Sequence, residues 1–195
     1  MRIRKLSFAL AAMALAVFGA QTQAQQAAES AEAAVSTGMA CCDEAAKAGL
    51  VCLQCNPSSV AKVGEAAINF TLPDAEGKEH SLASFIDGEN TVVLVWANPE
   101  CPIYARHLRE GTFNKLLEEF KDKPVKVVAI DSTDTVTPEK VKASVEEFDY
   151  KPVVLLDPSG KVGHAYEAKT TPHCYVITKE GKLVYSGAVD NNARG

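Results

Sequence analysis

From residue 60 onward the hydrophobic positions fall into alternating strand-like and helix-like runs. Residues 68–72, Ile-Asn-Phe-Thr-Leu, alternate with period two and lead into Pro73-Asp74-Ala75-Glu76-Gly77, a run with turn chemistry. Residues 81–85 resemble a short capped turn, and residues 91–97 are β-branched and apolar, as suits a central strand buried on both faces. Pro102 opens a helical stretch to about residue 121, with Leu108, Phe113, Leu116, Leu117 and Phe120 forming an apolar stripe. A second buried strand spans residues 125–130. Thr137 then reads as a cap, with Pro138 at the first position of a helix to about residue 148. A short strand at 152–156, a short helix at 159–166, and strands at 174–178 and 183–186 follow. The last two strands are joined by a hairpin turn, Lys179-Glu180-Gly181-Lys182. This order predicts an α/β fold with a central mixed β-sheet flanked by helices.

The chain before residue 60 has a different texture. Arg2, Arg4 and Lys5 precede a nearly unbroken apolar run over residues 6–20, and small residues occupy the positions a signal peptidase inspects before a cut after Ala24. The run is too short for the roughly 20 residues a spanning helix needs, so residues 1–24 read as a signal peptide rather than an anchor. An exported protein, periplasmic or secreted, is expected, with no stable membrane span after cleavage. The formal net charge of −5 becomes −8 once those three cations leave, and no basic footprint for nucleic acid is present. Residues 25–59 are rich in Ala and Gln, then in Cys, and read as a linker carrying a cysteine cluster. Residues 60–195 form the single folded domain.

All six cysteines, Cys41, Cys42, Cys52, Cys55, Cys101 and Cys174, lie beyond the cut, where an oxidising compartment permits disulfides without dictating their pairing. Cys41-Cys42 and Cys52-Leu53-Gln54-Cys55 flank a short helix former and could make two disulfides across it. They could equally ligate zinc or copper, because Cys-x-x-Cys suits tetrahedral thiolate sites. A haem attachment is disfavoured by Asn56 where that motif needs His.

The segment Trp96-Ala97-Asn98-Pro99-Glu100-Cys101-Pro102-Ile103-Tyr104-Ala105-Arg106-His107 puts Cys101 just past a buried strand and just before a helix. Unpaired N–H groups and the positive dipole end there favour a thiolate, which is the nucleophilic form of cysteine. Glu100 would oppose that shift if it faced the sulfur. Cys174 reads first as a small core residue and second as a resolving thiol. Of the two histidines flanking the segment in sequence, His173 is better placed than His107 to sense the thiol.

With Thr170-Thr171-Pro172-His173 before the hairpin strand, these features in order resemble the thioredoxin superfamily. Gly64-Glu65-Ala66-Ala67-Ile68-Asn69-Phe70-Thr71-Leu72-Pro73-Asp74 and Gly77-Lys78-Glu79-His80-Ser81-Leu82 are similar to its redoxin (AhpC/TSA) branch, over about residues 60–190. The resemblance implies a thioredoxin-like fold in which Cys101 is catalytic and Pro172 is a cis-proline facing it. Thr171 and Pro172 would bind substrate, through the backbone of Thr171. No cofactor is implied. The partners would be a protein or small-molecule thiol reductant and a disulfide or oxidant substrate.

The sequence departs from the family in several places. Tyr104 stands where thioredoxins carry a second cysteine. Asn98 and Leu94 replace the Thr and Pro of typical peroxiredoxins, and no arginine lies between Arg109 and Arg194. The family's final helix is missing after the hairpin, as in a C-terminally truncated chain. The expected function is an extracytoplasmic thiol-based oxidoreductase, or antioxidant redoxin, using one helix-N-terminal cysteine. The alternatives are a metal-binding or scavenging protein on a redoxin scaffold, and a thiol peroxidase.

Overall fold

The computed structural model describes residues 40–191; the expected signal peptide and the first part of the expected linker lie outside that range. The core is a five-stranded sheet in the order β7-β6-β5-β8-β9. Its strands are β5 (Thr91–Trp96), β6 (Val125–Asp131), β7 (Val153–Leu156), β8 (His173–Ile177) and β9 (Leu183–Gly187). β5, β6 and β7 are parallel to one another, whereas β8 and β9 add antiparallel. A central mixed sheet flanked by helices is thus observed, and the predicted strands are displaced by a residue or two at most.

The predicted helix over 102–121 is two helices, α3 (Pro102–Arg109) and α4 (Thr112–Glu119). Gly111 between them takes φ 63°, a left-handed conformation that costs a side-chain-bearing residue more than glycine, and it caps the start of α4. The apolar positions of α3 (Tyr104, Leu108) and of α4 (Phe113, Leu116, Leu117) would not share one face of a continuous helix, and the break at Gly111 turns both toward the sheet. α5 (Pro138–Glu147) starts as expected, with the Thr137 side chain accepting from Lys140 N at 3.3 Å. α6 (Lys161–Ala165) is held by buried Asp157. One carboxylate oxygen of Asp157 accepts from the amides of Val162 and Gly163 at 3.1 and 3.0 Å and from Ser132 Oγ at 2.8 Å.

Side chains alternate across the sheet. Val95, Ala97, Val127, Ala129 and Cys174 face α3 and α4, meeting Tyr104, Leu108 and Phe113. Leu94, Trp96, Val128, Ile130 and Tyr175 face the other way, toward α2 (Leu82–Ile86), α6 and the N-terminal segment. Trp96, Tyr166 and Tyr175 pack as an aromatic trio there, with centroids 5.0–5.3 Å apart.

The N-terminal segment is folded where the sequence suggested a linker. Residues 40–47 form helix α1, and β1 (Val51–Cys52) pairs in parallel with β2 (Ile68–Asn69). Cys41, Ala45, Leu50 and Cys52 are buried in the same core as Ile68 and Phe70. Phe70 separates β2 from β3 (Thr71–Pro73), which pairs with β4 (Glu79–Ser81), so the predicted strand over 68–72 is two short ones. Buried Asn69 bridges the two layers: its Oδ1 accepts from Ala83 N at 3.0 Å, and its Nδ2 donates to Cys41 Sγ at 3.5 Å. Among the described residues, no helix is long and apolar enough to cross a membrane.

Candidate active site

β5 ends at Trp96, and the chain turns through Asn98, whose Oδ1 accepts from Glu100 N at 2.8 Å. That turn delivers Cys101 as the N-cap of α3, in extended conformation, with Pro102 following inside the helix. Proline suits this position because its missing N–H is one the helix start would leave unpaired anyway. Cys101 is half-buried, and Ile103 beside it is 38% exposed.

The opposite wall is the segment before β8. The Thr171-Pro172 bond is cis, and the Thr171 carbonyl lies 2.9 Å from Cys101 Sγ, accepting from the thiol in its protonated state. Thr171, Pro172 and Cys101 therefore meet across one short gap.

Burial of Cys101 opposes its ionisation. The nearby Thr171 side chain and the backbone N–H groups of Tyr104 and Ile103 at the helix start outweigh that, and the thiol is more acidic than an ordinary cysteine. Glu100 is exposed and is not among the groups that shift the sulfur. Its charge is felt instead by Asp131, a buried carboxyl at the end of β6. Burial foremost, then Glu100 against the opposing bonds from Thr133 and the charge of Lys140, makes Asp131 harder to ionise than usual. Asp131 was not singled out in the sequence, although an acid closing an apolar strand run was a signal for it.

Cys174 is 6% exposed on the same side of the sheet as Cys101, and burial pushes its thiol up to about 12. The histidines depart from expectation. His173 alternates with Cys174 and belongs to the other face, where its ring contacts Tyr175 OH and Ser186 Oγ, both at 3.1 Å. Burial and Lys169 keep it below the usual histidine range. His107 is buried, with Nδ1 3.1 Å from Thr112 Oγ1 and its ring near Phe113. Neighbouring Arg106 pairs with Asp190 at 3.3 Å and Glu110 at 4.0 Å, toward the far end of α3. Tyr104, in place of a second cysteine, is 2% exposed and packs beside Phe113.

The other four cysteines cluster elsewhere. Cys42 and Cys55 form a disulfide, and Cys41 and Cys52 carry buried thiols.

The sequence model of the AhpC/TSA family matches residues 63–186, from the start of the strand–turn region to the last strand. The chain belongs to the AhpC/TSA family. It is 28% identical over 123 residues to the thiol-disulfide oxidoreductase ResA of Bacillus thuringiensis subsp. konkukian, covering 63% of this chain and 68% of that protein. A hypothetical protein of Sinorhizobium meliloti 1021 superposes with a TM-score of 0.62 at 29% identity, over 70% of this chain and 78% of the other. The thioredoxin domain of a thiol-disulfide oxidoreductase from Bacteroides vulgatus superposes with a TM-score of 0.58 at 21% identity. That match covers 68% of this chain and 92% of the domain, and it shows a shared thioredoxin-like fold.

Proposed function

We propose that this chain is an extracytoplasmic, single-cysteine thiol–disulfide oxidoreductase in which Cys101 is the nucleophile. That it is a thiol-dependent oxidoreductase follows from its family and relatives; the single working thiol and the compartment are the finer reading. The observation that carries it is the placing of Cys101 Sγ at a helix start, 2.9 Å from the carbonyl ahead of cis-Pro172.

The Cys101 thiolate attacks one sulfur of a substrate disulfide. The S–S bond breaks, the substrate's other sulfur leaves as a thiolate, and a mixed disulfide remains on Cys101. A second thiol then attacks that bond and releases Cys101. The Thr171 backbone ahead of β8 offers its polar groups to a substrate, and exposed Pro102 and Ile103 offer it an apolar edge. The cationic start and apolar run at residues 1–20 support export.

Reaction of the reduced protein with an aromatic disulfide near neutral pH tests this. The expected result is a fast phase of exchange whose adduct peptide mapping locates on Cys101, and which Cys101→Ser loses. A fast phase that survives Cys101→Ser and maps to Cys174 would overturn the assignment.

A further inference from the structure

The cysteine cluster of the N-terminal segment lies apart from Cys101, and the sheet stands between them. Cys41 and Cys52 belong to the core on the Trp96 face, whereas Cys101 packs with Val95, Ala97 and Cys174 on the α3 face. The cluster is also rigidly held. Leu50 N donates to Ala45 O at 2.8 Å, closing the turn between α1 and β1. Cys52 is in register with Asn69, and Leu53 N donates to Asn69 O at 3.1 Å.

Within this frame the four sulfurs have unequal roles. Cys55 is exposed and Cys42 half-buried, and they share the disulfide, with Cα atoms 6.8 Å apart. Cys52 is buried between the other sulfurs: its Sγ lies 3.3 Å from Cys42 Sγ and 3.6 Å from Cys41 Sγ. The sulfurs of Cys42, Cys52 and Cys55 all lie within 4.8 Å of one another. A thiolate about 3–3.5 Å from a disulfide sulfur is at near-attack distance, so exchange needs little movement of the chain.

We propose that these four cysteines form a second thiol–disulfide exchange site, in which the surface disulfide Cys42–Cys55 and the buried dithiol Cys41/Cys52 interchange through Cys52. In the first step Cys52 loses its proton to solvent and attacks Cys42 Sγ. The Cys42–Cys55 bond breaks, and Cys55 leaves as a thiolate that is reprotonated. In the second step the Cys41 thiolate attacks Cys52 Sγ, the Cys42–Cys52 bond breaks, and Cys42 leaves. One disulfide and two thiols are present before and after, so no oxidant or reductant is consumed.

The result carries an electron pair from the core to the surface. The exposed Cys55 thiolate then attacks a disulfide of a partner protein, and Cys42 attacks the mixed disulfide. The partner leaves as a dithiol and Cys42–Cys55 is restored, so the partner gains the two electrons that the buried pair has lost. The first step is favoured by contact distance. The second is slowed by the buried Cys41 thiol, which burial and its bond to Cys52 make harder to ionise.

The test uses the full chain carrying Cys101→Ser, so that failure here is separate from failure of the Cys101 assignment. The protein is brought to its one-disulfide form with limiting dithiothreitol, incubated at mildly alkaline pH, acid-quenched, alkylated and mapped by mass spectrometry. The expected result is a mixture of Cys42–Cys55, Cys42–Cys52 and Cys41–Cys52 that reaches the same ratio from any starting fraction. Adding Cys52→Ala should leave Cys41 fully alkylated as a thiol. Adding Cys41→Ala instead should keep the exchange between Cys42–Cys55 and Cys42–Cys52, a readout that stands if the Cys52 variant fails to fold. A single Cys42–Cys55 species at all times would overturn the proposal. So would two static disulfides, or one equivalent of zinc or copper that protects the thiols in protein purified under reducing conditions.

Discussion

Cys101 and Cys174 are the same chemical group on the same side of one sheet, and their surroundings push them in opposite directions. Cys174 has burial alone, and its thiol rises to about 12, against an ordinary value of 9.0. Three units correspond to roughly a thousandfold less thiolate than an unperturbed cysteine has near neutral pH, since each unit is about tenfold. Cys101 is also partly desolvated, but the hydroxyl of Thr171 and the amides of Ile103 and Tyr104 overcome that and lower its pKa. Its alkylation rate is therefore expected to level off at a lower pH than that of an ordinary cysteine, while that of Cys174 still climbs. A rate-against-pH series on the reduced protein, read residue by residue, checks both directions. The sign for stability follows from the same shift. A thiol whose folded pKa is depressed stabilises the fold above its unfolded value and loses that contribution as pH falls through the folded one. The difference in Tm between the reduced protein and Cys101→Ser should accordingly widen toward pH 9 and narrow in acid.

At the level of elements, legibility depended on how much apolar area each element carried. Residues 92–97 and 127–130 are apolar throughout, and the strands lie there because nothing but a doubly covered sheet could bury them. The segment over residues 40–53 buries Cys41, Ala45, Leu50 and Cys52, of which only Leu50 is bulky. A scan for hydrophobic periodicity passes over such a segment, and its docking rests on backbone bonds to partners distant in sequence, Val51 N to Ala67 O at 2.9 Å among them. Gly181, in the hairpin turn between β8 and β9, is where this docking can be tested. It takes φ +78°, its carbonyl accepts from Ala67 N at 2.8 Å, and a methyl group there would be driven into the Ala48 carbonyl. Gly181→Ala thus meets a disfavoured backbone conformation, worth about 1–2 kcal/mol, and a backbone clash with the N-terminal segment. The expected outcome is loosening of that segment ahead of the sheet. Hydrogen exchange at Leu50–Leu53 and alkylation of Cys52 should accelerate more than alkylation of Cys174. Equal acceleration of both thiols would mean that the segment and the sheet unfold together.

At the scale of the whole molecule, the sheet decides which thiols can complete a reaction begun at Cys101. The N-terminal cysteines lie on the other face and are held by β1 and α1, so they cannot serve as a mobile resolving arm. Cys174 shares the face but is fixed in β8, paired with Val95 on one side and Gly187 on the other, and it is very weakly acidic. A disulfide needs Cα atoms within about 4.4–6.8 Å and a thiolate to form it. Tyr104, one helical turn from Cys101, supplies no sulfur, and its buried ring fills the place where thioredoxins keep one. The intermediate on Cys101 should therefore wait for an external thiol. Oxidation of the reduced protein with one equivalent of hydrogen peroxide is expected to leave a sulfenate on Cys101 that a specific reagent traps over minutes. Rapid decay to a Cys101–Cys174 disulfide would refute this. Tyr104→Cys provides the contrast. It should close a disulfide with Cys101 and abolish the trappable sulfenate, because residues three apart at a helix start bring their side chains together. Loss of the buried ring should lower stability by roughly 3 kcal/mol in the reduced form, in line with large-to-small core substitutions. Oxidation should return part of that loss, since the new bond restrains the unfolded chain, and the Tm of the variant should rise on oxidation by more than that of the parent protein.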